Sequence, residues 1–131
     1  MKYVLDTSGA FQILFQKEKA KRYTELLKDA DAVISSSLYK AECANVLWKY
    51  VRAGFLSEQQ AAQTIDRLFD LVDIFIDPEE NAQEAFHEAV RLDHSVYDML
   101  YFTLARRNNA VLLTSDKRLK SLALEEGVQA E

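Results

Sequence analysis

Apolar positions in the first third of the chain gather into two short runs, Tyr3-Val4-Leu5 and Ala32-Val33-Ile34, which read as buried strands. Between them, residues 17–28 set Ala20, Tyr23, Leu26 and Leu27 on one helical face. Ser35-Ser36-Ser37 offers an N-cap to a helix over 38–52, whose stripe runs through Leu38, Ala41, Asn45 and Trp48 and ends near Gly54. Ser57-Glu58-Gln59-Gln60 has capping-box spacing and starts another helix. Ile74-Phe75-Ile76 is a third strand, closed by Asp77-Pro78, and helices over 79–91 and 96–108 follow. Val111-Leu112-Leu113 is the fourth strand, residues 116–126 a last helix, and Gly127-Val128 the stub of a fifth strand. Short, continuously apolar strands separated by helices predict a parallel sheet covered on both faces.

Composition sharpens this picture. A length of 131 residues with 49% hydrophobic and 28% charged residues excludes disorder, and one Pro and three Gly leave no linker, so a single domain over 1–131 is expected. No run reaches membrane-spanning length, and the N-terminal residues do not read as a signal peptide. The single Cys43 excludes an intramolecular disulfide, and with two His it is too little for the usual structural zinc sites. A reducing cytoplasm is the expected location. The net charge of −5 argues against bulk attraction to nucleic acid, but that charge is unevenly spread. Residues 57–98 hold eleven acids and two bases, whereas the remainder holds ten acids and fourteen bases.

Ligands of such sheets bind beyond the carboxyl ends of the strands. Asp6-Thr7-Ser8 follows the first strand and Thr114-Ser115-Asp116 the fourth, each placing a carboxylate beside hydroxyls at a helix entry. Helix capping explains either acid alone. Glu42 lies one turn after Leu38, beside the buried stripe, a place the helix dipole also favours. Asp98 is the only charge in Val-Tyr-Asp-Met-Leu-Tyr-Phe-Thr-Leu-Ala, so it requires a cation, a basic partner, protonation or a capping role. Were the four to converge, hard divalent cations with oxygen ligands would offset their repulsion, pointing to Mg²⁺ or Mn²⁺ rather than zinc.

The chain resembles the PIN-domain ribonucleases, among them the small VapC-type toxins of toxin–antitoxin pairs. The likeness spans nearly the whole chain: Val4-Leu5-Asp6-Thr7-Ser8, Ala41-Glu42-Cys43-Ala44-Asn45, Tyr97-Asp98-Met99-Leu100-Tyr101 with Leu104-Ala105, and Leu113-Thr114-Ser115-Asp116. It departs where Asn108-Asn109 stands in place of a frequent Gly before the fourth strand, a position whose left-handed conformation Asn tolerates. The resemblance implies a three-layer α/β/α domain with a central parallel sheet of four or five short strands. It also implies Asp6, Glu42, Asp98 and Asp116 as catalytic, metal-binding acids, with Thr7, Asn45 and Ser115 as supporting polar groups. The activity it implies is Mg²⁺-dependent endoribonuclease cleavage, with Mn²⁺ as substitute, leaving a 5′-phosphate and a 3′-hydroxyl. A homodimer held inactive by a cognate antitoxin, with no membrane, is the implied assembly. Arg106, Arg107, Lys117 and Arg118 are candidate contacts to the RNA backbone as well as solvated helix faces.

Other readings compete. A haloacid-dehalogenase-type phosphatase needs a second Asp where Ser8 stands, and a receiver domain needs a phosphoacceptor Asp where Ile34 is followed by three serines. A non-catalytic PIN-like binding or regulatory module, and a housekeeping RNA-processing nuclease of the same fold, remain the alternatives. Cys43 reads as a small core residue rather than a nucleophile, and Asp93 and His94 as loop residues rather than ligands. Phe11, Phe15, Tyr50 and Phe55 read as core and dimer surface, with base stacking open to any exposed ring.

Overall fold

In the computed structural model, which describes residues 1–131, the elements run β1 (Lys2–Leu5), α1 (Thr7–Leu14), α2 (Ala20–Lys28), β2 (Ala32–Ser36), α3 (Leu38–Arg52) and α4 (Glu58–Asp70). They continue as β3 (Ile74–Ile76), a 3₁₀ turn (Pro78–Glu80), α5 (Ala82–Leu92), α6 (Val96–Asn108), β4 (Val111–Leu113) and α7 (Lys117–Glu125). All pairings in the sheet are parallel, in the order β3-β2-β1-β4, with Val4 opposite Ile34 on one side and Leu112 on the other. Val4, Leu5, Leu112 and Leu113 are fully buried, which is why these strands read as unbroken apolar runs.

Right-handed crossovers place the layers. The chain steps outward from β1 to β3 with α1–α4 on one face, then returns past β1 to β4 with α5 and α6 on the other. Consistent with this, α1 packs with α2, α3 and α4, and α6 lies across β1, β2 and β4. The result is a three-layer α/β/α domain whose topological switch point falls between β1 and β4, where a crevice opens at the strands' carboxyl ends.

Several local expectations change. Residues 7–14 form a helix that the apolar pattern does not announce, and α2 begins at Ala20 rather than 17, after a turn with Gln16 at φ 51°. Gly9 permits α1 to sit against β4, since a Cβ there would stand 2.7 Å from the Leu113 carbonyl oxygen. Ser37 makes no side-chain cap to α3, and Ser36 Oγ accepts from the Leu38 amide instead. The capping box at Ser57 and Gln60 forms in full. The helix expected over 79–91 divides at the buried Asn81, whose amide donates to the Leu100 carbonyl and to Thr103 Oγ1. Asn109 takes the left-handed conformation that ends α6, at φ 49°.

Gly127-Val128 is not a strand. Gly127 ends α7 at φ 81°, and in place of a fifth strand there is one isolated parallel bridge, between Ala130 and Leu112, so the sheet has four strands. The Leu112 amide donates to the Gln129 carbonyl, and the Glu131 amide donates to the Leu112 carbonyl.

Candidate active site

The sheet's geometry brings Asp6 and Asp116 to the same edge. Leu5 and Leu113 are register partners, and the Asp6 amide donates to the Leu113 carbonyl at 3.2 Å. Asp6 caps α1 by accepting from the Gly9 amide at 2.8 Å, and Asp116 caps α7 by accepting from the Arg118 and Leu119 amides. Capping therefore fixes where these carboxylates sit rather than competing with a chemical role. Glu42 reaches in from the second turn of α3, and Asp98 from the first turn of α6. All four line one open cleft of about 350 Å³, together with Thr7, Ser8, Phe11, Gln12, Lys17, Val46, Tyr50, Tyr101 and Ser115.

Hydroxyls hold the acids in place. Ser8 Oγ donates to Asp6 Oδ1 at 2.7 Å and accepts from the Ser115 amide at 3.0 Å, tying the ends of β1 and β4 together. Thr7 Oγ1 donates to Glu42 Oε1 at 3.0 Å, and the buried Tyr101 hydroxyl donates to the same oxygen at 2.5 Å. Thr114 Oγ1 accepts from the Asp116 amide. Burial pushes Asp6 up to about 6, with the nearby Asp98 charge adding to the rise and hydrogen bonds from Gly9 and Ser8 opposing it.

Asp98 has a basic partner that the residue pattern leaves unassigned: His94 Nε2 lies 2.8 Å from Asp98 Oδ2. The i, i+4 spacing across the Ser95 cap is the signal that points to it. Ser8 and Tyr101 also join the site from outside the expected set. Ser8 is visible as the second hydroxyl after the first strand, and Tyr101 lies three positions after Asp98 on the same helical face.

The remaining expected residues divide. Thr7 and Ser115 line the cleft, but Asn45 is exposed outside it. On α3, Val46 stands roughly 40° around the helix from Glu42, on the cleft side, and Asn45 roughly 60° the other way. Arg106 and Arg107 sit in the last turn of α6, far from Asp98, and are paired with acids of α5. Arg106 reaches Glu84 at 2.7 Å and Glu88 at 2.8 Å, and Arg107 reaches Glu84. They act as interhelical ties, and neither lines the cleft. Lys117 and Arg118 are exposed at the entry of α7, where Arg118 donates to the Asp93 carbonyl and lines an adjoining cavity bordered by Asp98 and Asp116. Cys43 is fully buried and its thiol is pushed up to about 12, chiefly by burial, so it is no nucleophile.

The donor chemistry fits a hard cation. The cleft offers only oxygen ligands at its acids, and Asp6 is a buried carboxylate with no basic residue hydrogen-bonded to it. No three His, Cys, Asp or Glu side chains close into a compact cage. Mg²⁺ does not require one, because it retains several waters and takes one or two carboxylates directly.

The chain is 29% identical over 121 residues to ribonuclease VapC3 of Pyrobaculum aerophilum, covering 91% of this chain and 92% of that protein. The crystal structure of PAE2754 from Pyrobaculum aerophilum superposes with a TM-score of 0.73 at 22% identity, over 98% of this chain and 97% of that one. VapBC2 from Rickettsia felis, bound to a DNA fragment from its promoter, matches with a TM-score of 0.71 at 21% identity, over 100% of this chain and 98% of that one. The PIN domain family signature matches residues 3–125, and the chain belongs to the PIN domain family.

Proposed function

We propose that the chain is a Mg²⁺-dependent endoribonuclease and the toxin of a type II toxin–antitoxin pair. The observation that carries this reading is the convergence of Asp6, Glu42, Asp98 and Asp116, from four separate segments, on one cleft at the switch point of the sheet. The kinship with a ribonuclease VapC and the likeness to VapBC structures support the choice of RNA as substrate and of an antitoxin as partner. A homodimer is part of the same proposal. A cytoplasmic site of action belongs to the same proposal; no helix is long and apolar enough to cross a membrane.

In this reading Asp6, Glu42, Asp98 and Asp116 would hold Mg²⁺, or Mn²⁺ in its place. A cation held there would supply positive charge to offset the scissile phosphate and Lewis acidity toward water. The chain's own residues do the positioning. Thr7 and Tyr101 keep Glu42 aimed into the cleft, Ser8 and the Gly9 amide do the same for Asp6, and Ser115 sits between the two strand ends. Lys17 and Arg118 flank the acids as point charges for phosphates on either side of the break. Tyr50, half-buried, offers ring surface to a base within the same cleft, with Phe11 buried in the core behind it.

Incubating the purified protein with a mixed RNA pool, with Mg²⁺ or with EDTA, tests this. Cleavage with Mg²⁺ that stops with EDTA is expected, and Asp98→Asn should abolish it while circular dichroism and melting stay those of a folded domain. Full metal-dependent activity in that variant would sink the assignment, and absence of any cleavage by the wild-type chain would favour a non-catalytic module. Induced expression of the wild-type chain, but not of the Asp98→Asn chain, is expected to arrest bacterial growth.

A further inference from the structure

Asp93, His94 and Ser95 form the whole connection between α5 and α6, and the backbone is pinned at both ends. Asp93 turns left-handed at φ 52°, the His94 amide donates to the Ala89 carbonyl at 3.1 Å, and Ser95 Oγ accepts from the Asp98 amide at 3.2 Å. The His94 side chain is 4% exposed, whereas that of Asp98 is 33% exposed and reaches the cleft. Imidazole Nε2 meets Asp98 Oδ2 at 2.8 Å, and Nδ1 is buried without a partner.

These facts select one tautomer. With its hydrogen on Nε2, the ring donates to the carboxylate and buries only a bare lone pair at Nδ1. With the hydrogen on Nδ1, it would bury an unpaired donor and set a lone pair against a carboxylate oxygen. A ring this buried, with one nitrogen unsatisfied, forgoes part of its hydrogen bonding, and its only side-chain hydrogen bond goes to Asp98. Asp98 Oδ1 meanwhile takes no hydrogen bond from the protein. An Asp in a half-open first helical turn, without that bond, would be free to change rotamer.

We propose that His94 is a positioning residue of the metal site, donating through Nε2 to Asp98 Oδ2 so that Oδ1 is presented to the cation. The inference rests on the nuclease reading and adds to it a residue outside the four acids. Groups that orient a ligating carboxylate change metal affinity by roughly 10–100-fold when removed. His94→Leu keeps the buried volume and deletes the donor, while His94→Gln restores an N–H donor at a similar reach.

Mn²⁺ titrated calorimetrically into the full-length protein, without RNA, reads the effect directly. His94→Leu is expected to weaken Mn²⁺ binding at least tenfold and to lower kcat with KM for RNA little changed, and His94→Gln to recover most of both. His94→Leu binding Mn²⁺ like the wild type, while the wild type shows EDTA-sensitive cleavage, overturns this inference alone. A wild-type chain that neither binds Mn²⁺ nor cleaves RNA overturns the nuclease reading and this inference with it. Nitrogen-15 shifts of the His94 ring in the metal-free wild type identify the tautomer without requiring any variant to fold. Hydrogen on Nε2 is expected, and hydrogen on Nδ1 overturns the proposal.

Discussion

Asp6 places one carboxylate under two demands. As the cap of α1 it contributes about 1 kcal/mol by accepting from the Gly9 amide. As a charge that is 5% exposed and near Asp98, it is costly to ionise in the fold. Its value of about 6, against an ordinary 3.8, means the folded state favours the protonated form. The penalty is therefore full above about pH 6 and absent below the ordinary value. Asn caps as well as Asp does, so Asp6→Asn should retain the cap and remove the penalty. At pH 8 without metal, we expect the variant to be more stable than the wild type by on the order of 2 kcal/mol, shrinking to nothing near pH 3. Added Mg²⁺ should raise the melting temperature of the wild type and leave that of the variant unchanged. A variant that melts at or below the wild type at pH 8 would show that the Asp6 charge is already compensated in the fold.

Between elements, the α5–α6 contact is held by a compact ionic group rather than by apolar packing alone. Glu88, 8% exposed, takes Arg91 at 2.6 Å and Arg106 at 2.8 Å, and those hydrogen bonds, that of Arg91 foremost, hold its carboxyl at about 2. A depressed value stabilises the fold above the ordinary carboxylate range, and the contribution is lost as pH falls through about 2. Glu88→Gln should therefore cost on the order of 2 kcal/mol at pH 7 and progressively less below pH 4, as read from denaturation curves across that range. An equal loss at pH 7 and at pH 2 would assign the effect to packing instead. The elements also differ in how openly the sequence declares them. Strands β1, β2 and β4 and helix α6 announce themselves by unbroken apolar runs, and the four acids by standing just beyond strands or in early helical turns. Helix α1 does not, because Ala10, Phe11, Ile13 and Leu14 crowd without a polar face and its seat depends on Gly9 meeting Leu113, more than a hundred residues away. The C-terminal bridge at Ala130 likewise has no apolar run to announce it and exists through pairing with Leu112 of β4. The position of Arg106 is within reach of arithmetic, since eight residues of helix at roughly 1.5 Å each carry it about 12 Å along the axis from Asp98.

For the molecule as a whole, the net charge of −5 sets a repulsive background for RNA that local arrangement must overcome. Two of the eleven acids of segment 57–98 are tied to arginines within the fold, because Glu84 and Glu88 engage Arg91, Arg106 and Arg107, and Arg91 also reaches Glu126 outside the segment. Those three arginines are correspondingly engaged in ion pairs within the fold. Lys17 on the rim of the cleft and Arg118 beside the adjoining cavity are differently placed, exposed and next to the acids that would hold the cation. Binding should then be local and ion-dependent rather than spread over the surface. In a cleavage-dead Asp98→Asn background, the affinity for a single-stranded RNA should fall with salt, and Lys17→Ala and Arg118→Ala should each flatten that dependence by about 0.7 in log–log slope. Arg106→Ala should leave the slope unchanged and instead lower the melting temperature, since it breaks an interhelical tie and frees no phosphate contact. The reverse pattern, with the slope responding to Arg106 and indifferent to Lys17 and Arg118, would move the RNA path off the cleft and onto the far end of α6.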